Sequence, residues 1–202
     1  MRLLSFALVT ALVCSAVVSI SAAAHAQQIR IRGSVERVEG QILTVKTPEG
    51  VASVALAPNY AVGAIVKASM ADIKKGSFIG VGARASSGGE LQAVQVVIFP
   101  EAMRGTGEGH RPWAVLPEAT MTNATVAETV TRVEGGSVTL TYPGGEQRIA
   151  IPPEANIIMA VPAQASDLAP GAQVALTAQR LPDGGLTTSR VTVARAGAQL
   201  PL

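Results

Sequence analysis

Cysteine and aromatic residues are scarce in this chain. Its 202 residues include one cysteine, one tryptophan, three phenylalanines and two tyrosines. The cysteine, Cys14, lies in the apolar N-terminal stretch, so the rest of the chain offers no disulfide, no cysteine-ligated zinc or iron–sulfur site and no thiolate nucleophile. After residue 26, no run approaches the roughly 18–20 apolar residues that a membrane-spanning helix needs. We expect a mature chain without thiol chemistry and without a membrane span.

Net charge is also small. Without Arg2, which lies in the N-terminal stretch, 15 lysines and arginines stand against 14 aspartates and glutamates. Proteins that bind nucleic acid neutralise several phosphates, and those that bind single strands stack bases on aromatic side chains. Because this chain has little excess positive charge and few aromatic rings, nucleic acid is not an expected partner.

Residues 1–26 have the features of a secretory signal peptide. Arg2 supplies the positive start, residues 3–20 the apolar centre, and Ala24-His25-Ala26 a small-x-small cleavage site before Gln27. The alternative is a retained membrane anchor. We predict that the leader is removed and that the mature protein is periplasmic.

The sequence after the leader repeats itself at a distance of 95 residues. Residues 37–40 (RVEG) align with residues 132–135 (RVEG), and 17 of the 62 positions from 37 to 98 are identical to their counterparts without a gap. Many of the other pairs exchange one apolar residue for another. Two copies of one domain explain this pattern.

Each copy is predicted to consist of short β-strands. Leu43 and Val45 alternate with polar residues, as in a strand with one buried face, and glycines at 40, 135 and 136 mark hairpin turns. A single helical turn is expected at residues 69–76 and 164–171, each with an aspartate near its start and a closing glycine. The sequence therefore predicts an all-β protein of two tandem, small OB-like barrels, with a small sandwich as the competing fold.

The predicted domain boundaries follow from the repeat. The first barrel copy spans residues 27–99, an inter-copy segment rich in glycine and proline spans 100–123, the second copy spans 124–195, and a C-terminal tail spans 196–202. Charges that occur at the same place in both copies, such as Arg37 and Glu39, are interpreted as structural. Functional residues are expected where the copies differ, or between them.

The inter-copy segment carries the candidate site residues. His110 is the only histidine outside the leader, and Trp113 is the only tryptophan of the protein. We predict that ligand or partner binding involves five residues of this segment: His110, Trp113, Arg111, Arg104 and Glu108. For Trp113 two roles stay open, an anchor inserted between the barrels and a hot spot that contacts a partner.

This segment allows three chemical interpretations. Gly105-x-Gly107-x-Gly109 follows a predicted strand, but Pro112 and Pro117 prevent the helix that a phosphate-binding loop requires, so a flexible or tightly turned loop is favoured. A metal site could use His110 and Glu108 with the thioethers of Met103 and Met121, and the methionine donors would favour Cu(I). A serine–histidine hydrolase lacks a recognisable nucleophile elbow, so no catalytic residue is assigned.

Several stretches resemble a known family. Residues 99–105 (FPEAMRG), 107–110 (GEGH), 112–113 (PW) and 121–124 (MTNA) are similar to a family of exported bacterial proteins of unknown function, often labelled metal ABC transporter permease. The flanking copies resemble small β-barrel domains of exported proteins. The resemblance implies two OB-like repeats and supplies no catalytic residues. A permease would need several spanning helices, and none is predicted after residue 26.

These observations favour a non-enzymatic, extracytoplasmic two-barrel protein that binds a small ligand or a protein partner in the periplasm. The alternative is a periplasmic metal-binding accessory protein that uses His110, and a hydrolase is a remote third hypothesis. No cofactor is predicted.

Overall fold

The computed structural model describes residues 27–132, 135–195 and 197–202, so the predicted signal peptide lies outside the described residues. The fold is all-β, as predicted, with three single 3-10 turns, Met70–Asp72, Glu101–Met103 and Ala165–Asp167. The strands are β1 Gln28–Glu39, β2 Ile42–Thr47, β3 Gly50–Lys67, β4 Phe78–Ala85, β5 Leu91–Ile98, β6 Gly109–Pro112, β7 Ala119–Arg132, β8 Gly135–Tyr142, β9 Gly145–Ile151, β10 Asn156–Pro162, β11 Gln173–Arg180 and β12 Leu186–Ala194. Among the described residues, none of the helical segments could span a membrane.

The strands β1, β2, β3, β12 and β11 form a closed five-stranded barrel. Each strand pairs with the next, and β11 pairs back with β1; all these ladders are antiparallel except β12 with β3. Its core consists of buried aliphatic side chains from all five strands, including Val35, Leu43, Val54, Val174 and Val191. We call this unit the first barrel.

The strands β7, β8, β9, β5 and β4 form a second group around a separate core that includes Val81, Val96, Val138 and Ile149. Their ladders correspond to those of the first barrel. β4 pairs with β7, β7 with β8, β8 with β9, and β4 with β5. Only one residue pair, Gln92 with Ala150, joins β5 to β9, while β10 continues the pairing along β5. We call this unit the second group.

Both units take strands from both copies of the repeat. The first barrel combines the first three strands of copy one with the last two strands of copy two, and the second group combines the remaining halves. The prediction of two tandem barrels, one for each copy, is therefore not confirmed in that form. The reason is that β11 pairs with β1 and β4 pairs with β7, and each of these ladders joins one copy to the other.

The repeat itself is visible in the strand pairing. Residues separated by 95 positions take equivalent places in all strands except the first of each copy: Thr187 pairs with Ala55 just as Gln92 pairs with Ala150. In the first strand of each copy the separation is 91, because the bulge after Val35 in β1 recurs after Val126 in β7. The ungapped alignment was therefore wrong at its beginning.

This shift of four residues arises because the hairpin of β7 and β8 in copy two is longer than the hairpin of β1 and β2 in copy one. Gly135 and Gly136 were predicted to turn, but they pair with Arg132 and Thr131 as part of β8. Gly40, by contrast, lies in the turn of the first hairpin with a positive φ of 59°. The side chain of Arg132 and residue Glu134, the second-copy counterparts in the predicted charged face, lie outside the described residues.

The third strand also differs between the copies. In copy one it is continuous as β3, whereas in copy two it is broken into β9 and β10. The break contains Pro152 and Pro153, while copy one has Ala57 and Pro58 at these positions. Two consecutive prolines lack both N–H donors of a ladder, so the strand cannot pair through them.

The two helical turns predicted within the copies are confirmed. Asp72 accepts a hydrogen bond from the backbone N–H of Ser69 at 2.8 Å, and Asp167 accepts one from Gln164 at 2.7 Å. These bonds lower the pKa of both carboxyl groups; for Asp72 the Ser69 hydroxyl has the larger effect, and for Asp167 the backbone N–H does. The turns direct the chain from one unit to the other.

Candidate functional site

The inter-copy segment folds onto the second group through a short strand, β6. After a 3-10 turn and a glycine-containing loop, β6 pairs with the beginning of β7, so that Gly109 to Pro112 lie beside Asn123 to Thr120. The N–H of Trp113 then donates to the carbonyl oxygen of Ala119 at 2.8 Å. Because β7 also pairs with β4 on its other side, β6 extends the sheet of the second group.

The glycine motif is a tight loop built around a buried amide. Gly105, Gly107 and Gly109 all have positive φ, at 81°, 56° and 121°. The Nδ2 of Asn123 donates to the carbonyl oxygen of Thr106 at 2.9 Å, and a side chain at Gly107 would be only 3.2 Å from that nitrogen. The motif therefore closes on Asn123, which corresponds to the second of the two loop types predicted, flexible or tightly turned.

Arg104 is engaged with the protein itself. Its guanidinium pairs with the carboxylate of Glu101, and its Nη2 donates to the carbonyl oxygen of Gly76 at 2.9 Å. Its Nη1 donates to the hydroxyl of Thr125 at 3.1 Å, and the group lies over the ring of Phe78. The hydrogen bond with Glu101 raises the pKa of Arg104 and lowers that of Glu101. These contacts favour a structural role.

His110 lies on β6 with its ring stacked on Tyr142, the centroids 6.4 Å apart. Its Nδ1 is 2.8 Å from the hydroxyl of Thr122, a fully buried residue on β7. Arg111, on the other face of β6, donates from Nη1 to the carbonyl oxygen of Gly107 at 2.6 Å. Glu108 is exposed in the loop. The side chains of His110 and Arg111 therefore lie on opposite faces of the β6–β7 hairpin.

Two of the proposed metal donors, His110 and Met121, are not brought together either. His110 pairs with Thr122, and Met121 pairs with Arg111, so the histidine and Met121 point to opposite faces of the β6–β7 hairpin. Met103 lies in the preceding 3-10 turn. Among the residues that the structure describes, no three His, Cys, Asp or Glu side chains are grouped closely enough to hold a metal ion.

Trp113 is partly buried and rests on β4. A Cβ atom at Gly82 would lie 2.4 Å from the Cζ3 atom of the indole, so the ring occupies the space that a side chain would take. Gly80, two residues earlier on the same face, similarly receives Phe99 and Asn123. The two glycines are therefore needed for close approach of rings to a strand.

The indole also lines a cavity of about 480 Å³ between the two units. On its own side the wall includes Met121, Gln95 and the end of the C-terminal tail. The opposite wall is the outer surface of β1, β11 and β12 in the first barrel. This cavity has the size of a small-molecule binding site and lies between two packed units, where such sites often occur.

The first-barrel wall of the cavity is basic. Arg30 and Arg32 are two residues apart on β1, so their side chains point to the same face. Arg190 on β12 adds a third guanidinium group to this wall. Polar neutral groups lie between them, with Thr177 paired directly with Arg30. Within the described residues, no acidic side chain lines the cavity. The arginines therefore give it a positive potential.

The C-terminal tail passes along one edge of the cavity. Arg32 donates from Nη2 to the carbonyl oxygen of Leu200 at 3.0 Å, and the N–H of Leu202 donates to the Oε1 of Gln95 at 2.8 Å. Gln95 is only 3% exposed, so this bond satisfies a buried amide oxygen. Of the three cavity arginines, Arg32 is bonded to the tail, whereas the side chains of Arg30 and Arg190 form no ion pair or hydrogen bond with any described residue.

Sequence reasoning located one side of this cavity and missed the other. Trp113 and Met121 belong to the predicted segment, but the three arginines lie far from it in sequence. The alternation of basic and apolar residues at 28–32 (QIRIR) was a usable signal, since it predicts a strand with a charged face. The spacing of Gly80 and Gly82 was a second signal, for close packing against a strand.

Comparisons of the chain with models of protein families, with curated proteins and with solved structures gave no match.

Proposed function

We propose that this is a non-enzymatic, periplasmic binding protein whose ligand occupies the cavity between the first barrel and the second group. The observation that carries the proposal is the position of Trp113. Its ring is held against Gly82 and lines a cavity whose far wall belongs to the other unit. A ligand there would contact both units, and the tryptophan would supply a rigid contact surface at small cost in conformational entropy.

This proposal takes up the second of the two roles predicted for Trp113, a contact with a ligand or partner. The indole packs against Gly82 of the second group, and its other side lines the cavity. The proposal also gives a reason for the inter-copy segment: β6 and the loop around Asn123 bring the tryptophan to the cavity wall.

Fluorescence offers a direct test, since Trp113 is the only tryptophan. Amino acids, short peptides, oligosaccharides and nucleotides would be added in turn while its emission is recorded. We expect a saturable change with one of these classes. The change should weaken when Gln28, on the cavity wall, is replaced by alanine, and should persist when the exposed Gln41 outside the cavity is replaced. No saturable change with any class would contradict the proposal.

We further infer that both units are OB-like barrels and that the second group closes as the first barrel does. In support, each unit has the same order of pairing, and each crossing between the units passes through a single helical turn. Amide hydrogen exchange can test the closure. If the ring closes, strand β5 near Gln92 should exchange as slowly as strand β12 near Thr187, its counterpart in the first barrel. Fast exchange confined to β5 and β9 would show an open sheet.

A further inference from the structure

We infer that the cavity binds an acidic oligosaccharide, a hydroxyl-rich chain that carries carboxylates. This inference rests on the proposed function and specifies its ligand. Three features of the cavity support it: the placement of the arginines, the neutral donors between them, and the single aromatic ring opposite.

The arginines are placed to hold more than one carboxylate. Arg30 and Arg32 are two residues apart on one face of β1, which separates their Cα atoms by about 7 Å. Arg190 lies on β12, two strands away from β1, which corresponds to roughly 10 Å across the sheet. Guanidinium groups bind carboxylates through paired hydrogen bonds. An anionic chain lying across these strands could meet Arg30 and Arg190 in turn.

The neutral groups of the cavity suit a ligand rich in hydroxyls. Gln28 and Gln179 face each other across β1 and β11, and Thr177 lies beside Arg30. Ser189, next to Arg190, adds a further hydroxyl to the same wall. Amides and hydroxyls both donate and accept hydrogen bonds, as sugar hydroxyls do. A small inorganic anion would leave most of these groups without a role.

The presence of a single indole in the cavity favours an oligosaccharide over a nucleic acid as the ligand. Single-stranded nucleic acid is held by several aromatic platforms, one for each of the successive bases. Here Trp113 is the only aromatic side chain that lines the cavity among the described residues. One apolar ring beside many polar donors can instead cover the apolar face of one sugar unit. The side chains of this cavity therefore favour an oligosaccharide over an oligonucleotide.

The C-terminal tail defines where the ligand can lie. The tail already uses Arg32 and Gln95, through Leu200 and Leu202. The tail forms neither of these bonds with Arg30 or Arg190, and both arginines line the cavity. We therefore assign the carboxylate contacts to Arg30 and Arg190. Arg32 instead positions the C-terminal tail.

Calorimetry with trigalacturonate as the probe tests this inference, with its neutral methyl ester and a single-stranded oligonucleotide as comparisons. We expect the acid to bind and the ester to bind at least tenfold more weakly, which corresponds to about 1.4 kcal/mol. Arg30→Gln and Arg190→Gln should each weaken binding of the acid by about tenfold. Arg148→Gln, a change of an exposed arginine outside the cavity, should leave it unchanged within twofold.

The outcomes separate the two proposals. Equal binding of acid and ester would overturn the acidic specificity while leaving a binding protein. Tighter binding of the oligonucleotide would replace the ligand class. Failure of every probe here and in the fluorescence panel would overturn both. Because a variant could fold poorly, the wild-type protein supplies a second measurement: affinity for the acid must fall as salt rises, and salt-independent affinity would contradict the assigned ion pairs.

Discussion

Ile65 on β3 pairs with Ala160 on β10, and Ala160 is the residue 95 positions later, the counterpart of Ile65 in the repeat. On either side the pairing is reciprocal: Gly63 pairs with Pro162, and Lys67 pairs with Ile158. This is the pattern of two identical strands related by a twofold axis. The two copies therefore meet as the subunits of a symmetric dimer do, although they belong to one chain.

This relationship explains the exchange of strands. Near the pseudo-twofold axis each copy crosses from one unit to the other. The first three strands of a copy therefore belong to one unit, and its last two strands belong to the other unit. An exchange of identical elements between subunits is domain swapping, and here it occurs within a single polypeptide. The cavity lies between the two units that the exchange ties together.

An engineered disulfide tests the exchange. In a Cys14→Ser background, Gln28→Cys with Gln179→Cys places two cysteines opposite each other on β1 and β11. We expect spontaneous cross-linking and a gain in stability of about 2–4 kcal/mol. The matched control is Gln28→Cys with Arg84→Cys, since Arg84 is the counterpart of Gln179 in copy one. Cross-linking of the control pair instead would mean that each copy closes its own barrel.

The contact between Gly82 and Trp113 predicts a specific sensitivity. In Gly82→Ala the new methyl group would overlap the indole, so the ring must move. We expect a loss of about 1–3 kcal/mol in unfolding free energy and a red shift of tryptophan emission. Gly63→Ala is the control, because its Cβ would meet no atom within 4 Å. In a Trp113→Ala background the cost of Gly82→Ala should become smaller, and equal costs in both backgrounds would disprove the contact.

The loop of residues 104–109 should depend on Asn123. Replacing Asn123 by alanine removes its hydrogen bond to Thr106, and we expect a loss of about 1–2 kcal/mol in unfolding free energy. Amide exchange within the loop should become faster. Asn59→Ala, a change of an exposed asparagine, should alter neither quantity. Unchanged exchange in Asn123→Ala would show that the glycines alone hold the loop.

Asp167 should make folding sensitive to acid. Its pKa in the folded state lies below the usual value near 3.8, first because of the N–H of Gln164 and then because of Arg195, which is 2.7 Å away. A lowered folded-state pKa stabilises the protein above the unfolded-state value, and this contribution disappears as pH falls through the folded-state value.

The measurement is urea denaturation between pH 7 and pH 2. Asp167→Asn should be less stable than the wild type at pH 7, and the difference should shrink below about pH 4. The exposed Glu146 provides the control through Glu146→Gln, which should show no such convergence. A difference that stays constant over the whole range would rule out the ionised carboxylate as its source.

Much of the secondary structure followed from the sequence. Alternating apolar residues predicted the strand that contains Leu43 and Val45, and aspartate with a later glycine predicted the single helical turns. These features depend on residues close together in the chain, through side-chain alternation, local hydrogen bonds and the left-handed conformation that glycine accepts. The internal repeat was likewise a property of the sequence alone.

The partner of each strand was decided only by the tertiary structure. β4 and β11 are counterparts in the repeat, so the pattern of residues could not tell whether β1 would pair with one or the other. The choice depends on how the chain crosses between units, at Ile65 and Ala160. It also determines the cavity, because Arg30 and Trp113 lie far apart in sequence and line the same cavity once the strands have been exchanged.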